Sequence, residues 1–266
     1  MKHDVPMASL LSDFWLCIAF YSRLPVPHSV PAASPAYFIQ FSRAVRVLPL
    51  ASSLIGGLAA LTLAVAIELG FTLQLAAVLG IGSLILLTGG FHEDGLADCA
   101  DGLFGGNTKE SRLAILKDSR NGTFGTLALL LSVYLRIESL ASLAGQGTVL
   151  STTVLMAAAA LSRTAGLLPL ALLPPARHDG AGFSASKPQA TALLMAATLA
   201  VILALLPLAA GANIFRGATA VVLSSLAALA MVPLAFRLIG GQTGDVAGAS
   251  QQCCEITFLL CYAAGN

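Results

Sequence analysis

The chain has 266 residues, of which 57% are hydrophobic and only 10% charged, with a formal net charge of +1 and a mean hydropathy of +0.85. A soluble domain carries about 25% charged residues, so the composition excludes an ordinary soluble enzyme and requires a chain built for the lipid bilayer. The near-neutral balance gives no reason to expect a nucleic-acid partner or a polybasic lipid anchor.

Residues Met1 to Asp13 carry Lys2, His3 and acids, and no small-residue cleavage site closes the first apolar stretch, so no cleaved signal is expected. That stretch, Phe14 to Tyr21, is short for an upright span. Six longer runs follow: Leu48 to Leu69, Phe71 to Thr88, Gly125 to Leu143, Val149 to Leu173, Ala190 to Ala210 and Ala218 to Ile239. A last short run covers Ile256 to Ala264. Unpaired backbone groups are costly in lipid, and the alternation of a membrane β-barrel is absent. The expected fold is all-α, a polytopic membrane bundle of about 6–8 transmembrane helices. It is read as a single integral-membrane domain over residues 1–266.

Charge orients the spans. Arg23, Arg43 and Arg46 precede the first long run; Lys109, Arg112, Lys117 and Arg120 follow the second; Arg177 and Lys187 follow the fourth. Counting the long runs puts all of these on one face, the cytoplasm by the positive-inside rule. The same count puts the loop "GGQTGDVAGASQQ", with Asp245, on that face. Arg136, Glu138 and Arg163 fall inside long runs. Intramembrane charges of this kind read as structural pairs between helices, with a substrate channel as the rival. The cysteines Cys17, Cys99, Cys253, Cys254 and Cys261 show no C-x-x-C and no framework spacing, so packed thiols are expected.

The chemistry concentrates in "GGFHEDGLADCADGLFGGNTKESRLAILKDSRNGTFG". Six of the chain's 13 acids fall in this stretch. Asp94, Asp98 and Asp101 are spaced i, i+4, i+7 and project from one helix face. Like charges on one stripe repel, and a hard cation resolves the conflict. Oxygen ligands alone suit Mg²⁺, which takes a few carboxylates together with substrate phosphates. Asp118, and Asp245 from the last loop, can approach from the same side. The rival reading is a solvated loop whose acids balance its basic residues. Lys117 and Arg120 flank Asp118 and read as phosphate contacts, as does Arg23, against topology signals alone. Glu93 points off the Asp94 face, toward solvent or behind the ligands. His92 reads as a substrate contact more than as a metal ligand. A carboxylate cluster with a cation at a membrane face fits phosphoryl transfer.

"DCADGLFGG" reproduces the first half of the CDP-alcohol phosphotransferase signature, D-x2-D-G-x2, and then places Gly105 and Gly106 where that family has Ala and Arg. A fuller resemblance is to the cobalamin synthase family, the adenosylcobinamide-GDP ribazoletransferases. It is carried by "FYSRLPVP", "GGFHEDGLADCADGLFGG", "LKDSRNGTFG" and "GGQTGDVAGASQQCCE", four blocks in order across most of the chain. Glu93 departs from that pattern, where an apolar residue is usual. The resemblance implies a Mg²⁺-dependent, multi-pass enzyme of the bacterial cell inner membrane with its active site facing the cytoplasm. It would join adenosylcobinamide-GDP to α-ribazole or α-ribazole 5′-phosphate and release GMP. Carried onto this chain, it implies Asp94, Asp98, Asp101 and Asp245 for metal and Asp118 as a further ligand or general base. Lys117 and Arg120 would hold phosphate, and Arg23 and His92 would contact substrate. The lipid bilayer is the expected partner besides the substrates, and self-association is left open. The rival functions are a phospholipid-making CDP-alcohol transferase and a membrane transporter.

Overall fold

The computed structural model describes residues 10–27, 35–118, 120–177 and 187–264. The expectations for Met1 to Ser9 and for Ser119 lie outside them. Among the described residues there is no strand, only helices and one isolated β-bridge. In chain order the helices are α1 (Leu10–Tyr21), α2 (Pro35–Ala44), α3 (Leu48–Glu68), α4 (Leu73–Thr88), α5 (Phe91–Gly105), α6 (Lys109–Ile115) and α7 (Thr123–Gln146). Then come α8 (Thr148–Ala165), α9 (Leu168–Leu172), α10 (Ala190–Ala204), α11 (Ile214–Ile239) and α12 (Gly244–Ala263).

Among the described residues, five stretches are long and apolar enough to cross a membrane: Gln40–Glu68, Thr123–Gln146, Thr148–Leu172, Ala190–Ala210 and Ile214–Ile239. A sixth appears only if α4 and α5, bent 88° from each other, are counted as a pair. The count therefore meets only the low end of the sequence expectation. The 16 residues of α4 rise about 24 Å, short of the roughly 30 Å hydrocarbon core. Gly89 and Gly90 both sit at φ +68°, a left-handed conformation that only glycine adopts without strain. They end α4 and swing the chain into α5, which we place outside the spans. The short last run of the sequence proves to be the end of a 20-residue helix, α12, whose polar residues face inward.

α12 is the central post, packed on α11, α5, α8 and α7. Small residues set the closest approaches. A Cβ on Gly56 of α3 would lie 2.6 Å from the Ala159 Cβ of α8, so those helices meet backbone to backbone. Gly95 of α5 crosses Gly248 of α12: a Cβ there would stand 3.1 Å from the Asp245 carbonyl oxygen and 3.2 Å from the Gly248 Cα. Gly95→Ala is therefore expected to push α5 off α12 and cost about 1–3 kcal/mol of stability. Thermal unfolding in detergent reads this. Gly82→Ala serves as the control, since nothing lies within 4 Å of its Cβ position. Equal stability of the two variants would refute the close crossing.

The charges within the bundle form one buried network. Arg136 of α7 is fully buried and holds Glu93 of α5 at 2.9 Å and Glu255 of α12 at 3.1 Å. Arg163 of α8 stands 3.8 Å from Glu255. Gln251 donates to Glu255 at 2.7 Å and to the Ser162 hydroxyl at 2.9 Å, and Gln252 donates to Glu93 at 3.2 Å. Two guanidinium groups thus meet two carboxylates and their amide partners, which is what buried charge requires. Arg136 and Arg163 pair between helices, as expected of intramembrane charge. Glu138, two residues on from Arg136, is exposed and takes no part. Glu93 is buried rather than solvated, and its pairing with Arg136 makes it a structural anion directly beside Asp94. Near the start of the chain, Asp13 of α1 is buried and binds Arg43 at 2.9 Å and Arg46 at 2.7 Å. Those arginines, read from sequence only as topology signals, also clamp α1 to the α2–α3 corner.

Candidate active site

The Gly95–Gly248 crossing decides where the acids meet. α5 carries Asp94, exposed, then Asp98, half-buried, then Asp101, buried, along one stripe. Asp245 lies in the first turn of α12 and is delivered to that stripe. Thr243 caps α12, accepting from the Val246 N–H at 3.3 Å and donating to an Asp245 oxygen at 3.1 Å. The isolated bridge between Pro175 and Gln242 sets the last partner. Ala176 N–H donates to the Gln242 carbonyl at 2.9 Å, and Gln242 N–H donates to the Pro174 carbonyl at 2.8 Å. The 174–177 segment is thereby held beside α12, and Arg177 reaches Asp245 at 3.5 Å. Burial, then the negative charges of Asp94, Asp245 and Asp101, push Asp98 up to about 7 against the pull of Arg177. The sequence expectation that Asp94, Asp98 and Asp245 share one face holds in this geometry.

Asp101 has a second occupation. Its two oxygens accept the Gly122 N–H at 2.6 Å and the Gly125 N–H at 2.9 Å, capping the N-terminus of α7. Only glycine fits at those two positions, because a Cβ on either would strike the Asp101 carboxylate. Among the described residues, no group of three or more His, Cys, Asp or Glu side chains is drawn up as a ligand set. Asp101 is engaged by α7, and Asp245 by Thr243 and Arg177. The donors that face the cleft are carboxylate oxygens, beside a space that phosphate groups can enter. That set fits Mg²⁺, which needs only one or two carboxylates when phosphates and waters complete its shell.

The cleft has two parts. One recess of about 540 Å³ is lined by Arg23, Thr88, Gly90, Glu93, Asp94 and Asn121, among others. Arg23 is fixed there by its N–H, which donates to the Leu87 carbonyl at 2.7 Å, and by its guanidinium packed on Gly89. A second recess of about 510 Å³ is lined by Asp101, Asp118, Arg120, Asn121 and Phe124. Arg120 grips Asp118 with its Nη2 at 2.7 Å and its Nε at 3.1 Å. These hydrogen bonds hold the Asp118 carboxyl below the usual carboxylate range. Lys117 is exposed at the end of α6, one residue before Asp118. Asn121 borders both recesses, and the sequence reading passed over it. His92 is not brought to the acids. It is buried, stacked on Tyr21 at 5.7 Å and 6°, and lines a separate void of about 30 Å³ with Arg163 and Gln251.

Fold and cleft together define a class: a polytopic, all-helical membrane protein with a polar, acid-lined cleft at one end of its bundle. The comparisons make the class particular. The chain belongs to the cobalamin-5-phosphate synthase family, whose model matches residues 13–263. It is 44% identical to an adenosylcobinamide-GDP ribazoletransferase of Azorhizobium caulinodans, over 98% of this chain and 97% of the relative. Proteins of the same name from Bradyrhizobium diazoefficiens and Xanthobacter autotrophicus are 41% and 44% identical, over 96% and 94% of this chain and 95% of each relative. No solved structure matches it.

Proposed function

We propose that the chain joins adenosylcobinamide-GDP to α-ribazole, or to α-ribazole 5′-phosphate, giving adenosylcobalamin or its 5′-phosphate and GMP. The observation that carries this reading is convergence. Arg23, Asp94 and Asn121 come from three separate sequence blocks of a chain in this family and line one recess, and Asp98 and Asp245, the latter from a fourth block, lie close enough to Asp94 to feel its charge. A ribose hydroxyl oxygen of the ribazole bonds to the cobinamide-side phosphorus. The bond from that phosphorus to the oxygen of GMP breaks, and the hydroxyl proton passes to a carboxylate of the cleft. Mg²⁺ held by Asp94, Asp98 and Asp245 would neutralise the charge that builds on the pyrophosphate as it divides. Arg23, and Lys117 and Arg120 on the rim, supply cations for the phosphates. Asp101 fixes the edge of the cleft by holding α7. Asp118, kept ionised by Arg120, is a weak base and serves better as an anion that orients Arg120. The charge asymmetry of the loops supports an inner-membrane protein with this cleft on the cytoplasmic side.

Asp98 sets a pH dependence. A carboxyl with a pKa of about 7 is protonated below that pH, and only the ionised form can hold a cation or take a proton. Protons and the cation compete for this carboxylate, so at limiting Mg²⁺ activity is expected to fall as pH drops below about 7, and saturating Mg²⁺ should move that fall to lower pH. A flat kcat/KM between pH 5.5 and 8 at limiting Mg²⁺ would count against Asp98. Donor choice tests the function. Membranes carrying the chain should consume adenosylcobinamide-GDP and ignore CDP-diacylglycerol, the donor suggested by the half-signature "DCADGLFGG". Consumption of CDP-diacylglycerol alone would sink this reading.

A further inference from the structure

The second recess of the cleft, beside Asp118 and Arg120, has an apolar half that phosphate chemistry leaves unused. It lies where α5 and α6 end and α7 begins, and Gly105, Ile115 and Phe124 line that half. A Cβ on Gly105 would stand 3.9 Å from Ile115 Cδ1 and 4.0 Å from Phe124 Cδ2. With no side chain between them, the two apolar groups form one wall. Phe124 is 49% exposed, so packing does not use up its ring. Its backbone is nonetheless fixed, because the Asp101 oxygens accept the Gly122 and Gly125 N–H groups on either side of it. A firmly placed, open phenyl face in a polar cleft is a surface for another ring.

The other half of the recess is polar. The Arg120 side chain is 87% exposed, and its hydrogen bonds to Asp118 set its direction. Asn121 borders this recess and also the one lined by Arg23 and Asp94. An apolar wall, an oriented cation and a border shared with the acid-lined recess therefore fall within about 510 Å³.

We propose, on the basis of the ribazoletransferase reading, that this recess seats the acceptor. The planar base of α-ribazole stacks on Phe124 beside Ile115. Arg120 takes the 5′-phosphate when the acceptor carries one, and the ribose meets the pyrophosphate of the donor at the Asn121 border. The chemistry of the base decides which substrate belongs here. The benzimidazole of α-ribazole is a flat bicyclic ring with no N–H once it carries the ribose. Guanine, the base of the donor, presents N–H groups and a carbonyl that need polar partners when they leave water. The side chains of Ile115 and Phe124 have no polar atom to offer them, and Gly105 has no side chain. The exposed guanidinium adds a preference for the phosphorylated acceptor, since a charged partner strengthens a hydrogen bond to phosphate.

The test uses the full chain in membrane vesicles and measures KM for each substrate separately. Phe124→Ala should raise the KM for α-ribazole and for α-ribazole 5′-phosphate about tenfold or more, the scale of losing an aromatic stacking partner. The KM for adenosylcobinamide-GDP should stay the same, which also shows that the variant is folded. Phe124→Trp keeps a ring face and should retain most of the acceptor affinity. Arg120→Gln should raise the KM for the phosphorylated acceptor about tenfold more than that for α-ribazole; equal effects on the two would overturn the phosphate contact. An acceptor KM unaltered by Phe124→Ala, or a rise in the donor KM in its place, would overturn the assignment and leave the transferase reading standing. No product from the unmodified chain would sink that reading and the assignment with it.

Discussion

Asp94→Ala and Asp98→Asn are each expected to lower turnover by about a thousandfold or more, the scale of losing a group that holds a cation or developing charge at a phosphoryl centre. The proteins should nevertheless fold. Asp94 is exposed, so its removal costs no packing. For Asp98 the sign goes further. Its pKa in the folded chain is raised from 3.8 to about 7, so the folded state binds its proton more tightly than the unfolded state. Stability therefore falls as pH rises from about 4 to about 7, because ionising this group opposes folding. Asn mimics the protonated form. Asp98→Asn should unfold at the same temperature as the unmodified chain at neutral pH, or higher, while losing activity. Near-normal turnover of Asp94→Ala or Asp98→Asn at limiting Mg²⁺ would remove both residues from the metal assignment. A large drop in the unfolding midpoint would instead make Asp98 structural.

The second large effect concerns Arg136. It lies on α7, fully buried, between Glu93 of α5 and Glu255 of α12. Arg136→Met leaves two buried carboxylates facing each other, with only Arg163 at 3.8 Å from Glu255 to offset them. Breaking a buried pair from one side costs about 3–5 kcal/mol, enough to consume much of a domain's stability. The variant should unfold at a much lower temperature or fail to accumulate in membranes. Adding Glu93→Gln and Glu255→Gln should restore a large part of the loss, because the amides keep the shape and remove the charge. A single Arg136→Met as stable as the parent chain would show that the network does not hold α5 against α12. The functional consequence follows from geometry. Glu93 and Asp94 are neighbours on α5, so the network that anchors one sets the position of the other.

How far the sequence reveals this site depends on the range of the interactions. The spacing of Asp94, Asp98 and Asp101 is local, and helical periodicity alone puts them on one stripe. That Asp245 joins them is legible through topology, since counting apolar runs puts two loops on one face. The partner of Arg136 is not legible in that way. Glu93 is 43 residues away and Glu255 is 119, and only the packing of α5, α7 and α12 selects them over the nearby Glu138. Asp101 illustrates the same limit. Its helical phase is right for a ligand stripe, yet its oxygens accept N–H groups from a loop that returns 21 and 24 residues later. Gly89 and Gly90 end the apolar run without fixing its direction; only their left-handed backbone in the fold shows that they stop α4 and turn the chain into α5. His92 sits next to Glu93 and two residues before Asp94, about 200° around the helix, so it faces Tyr21 and the core rather than the acids. Asn121 carries no charge and shows no period, so only the closure of the two recesses around it marks it out.

The central claim is that the recess lined by Arg23 and Asp94, with Asp98 and Asp245 beside Asp94, transfers the cobinamide phosphate to a ribazole. It is tested most directly by supplying the chain in membrane vesicles with adenosylcobinamide-GDP and α-ribazole, and following GMP and the cobalamin product together. Stoichiometric release of GMP with product, dependent on Mg²⁺ and abolished by chelation, is the predicted result. Absence of both products with Mg²⁺ present, or their undiminished formation after chelation, would contradict it.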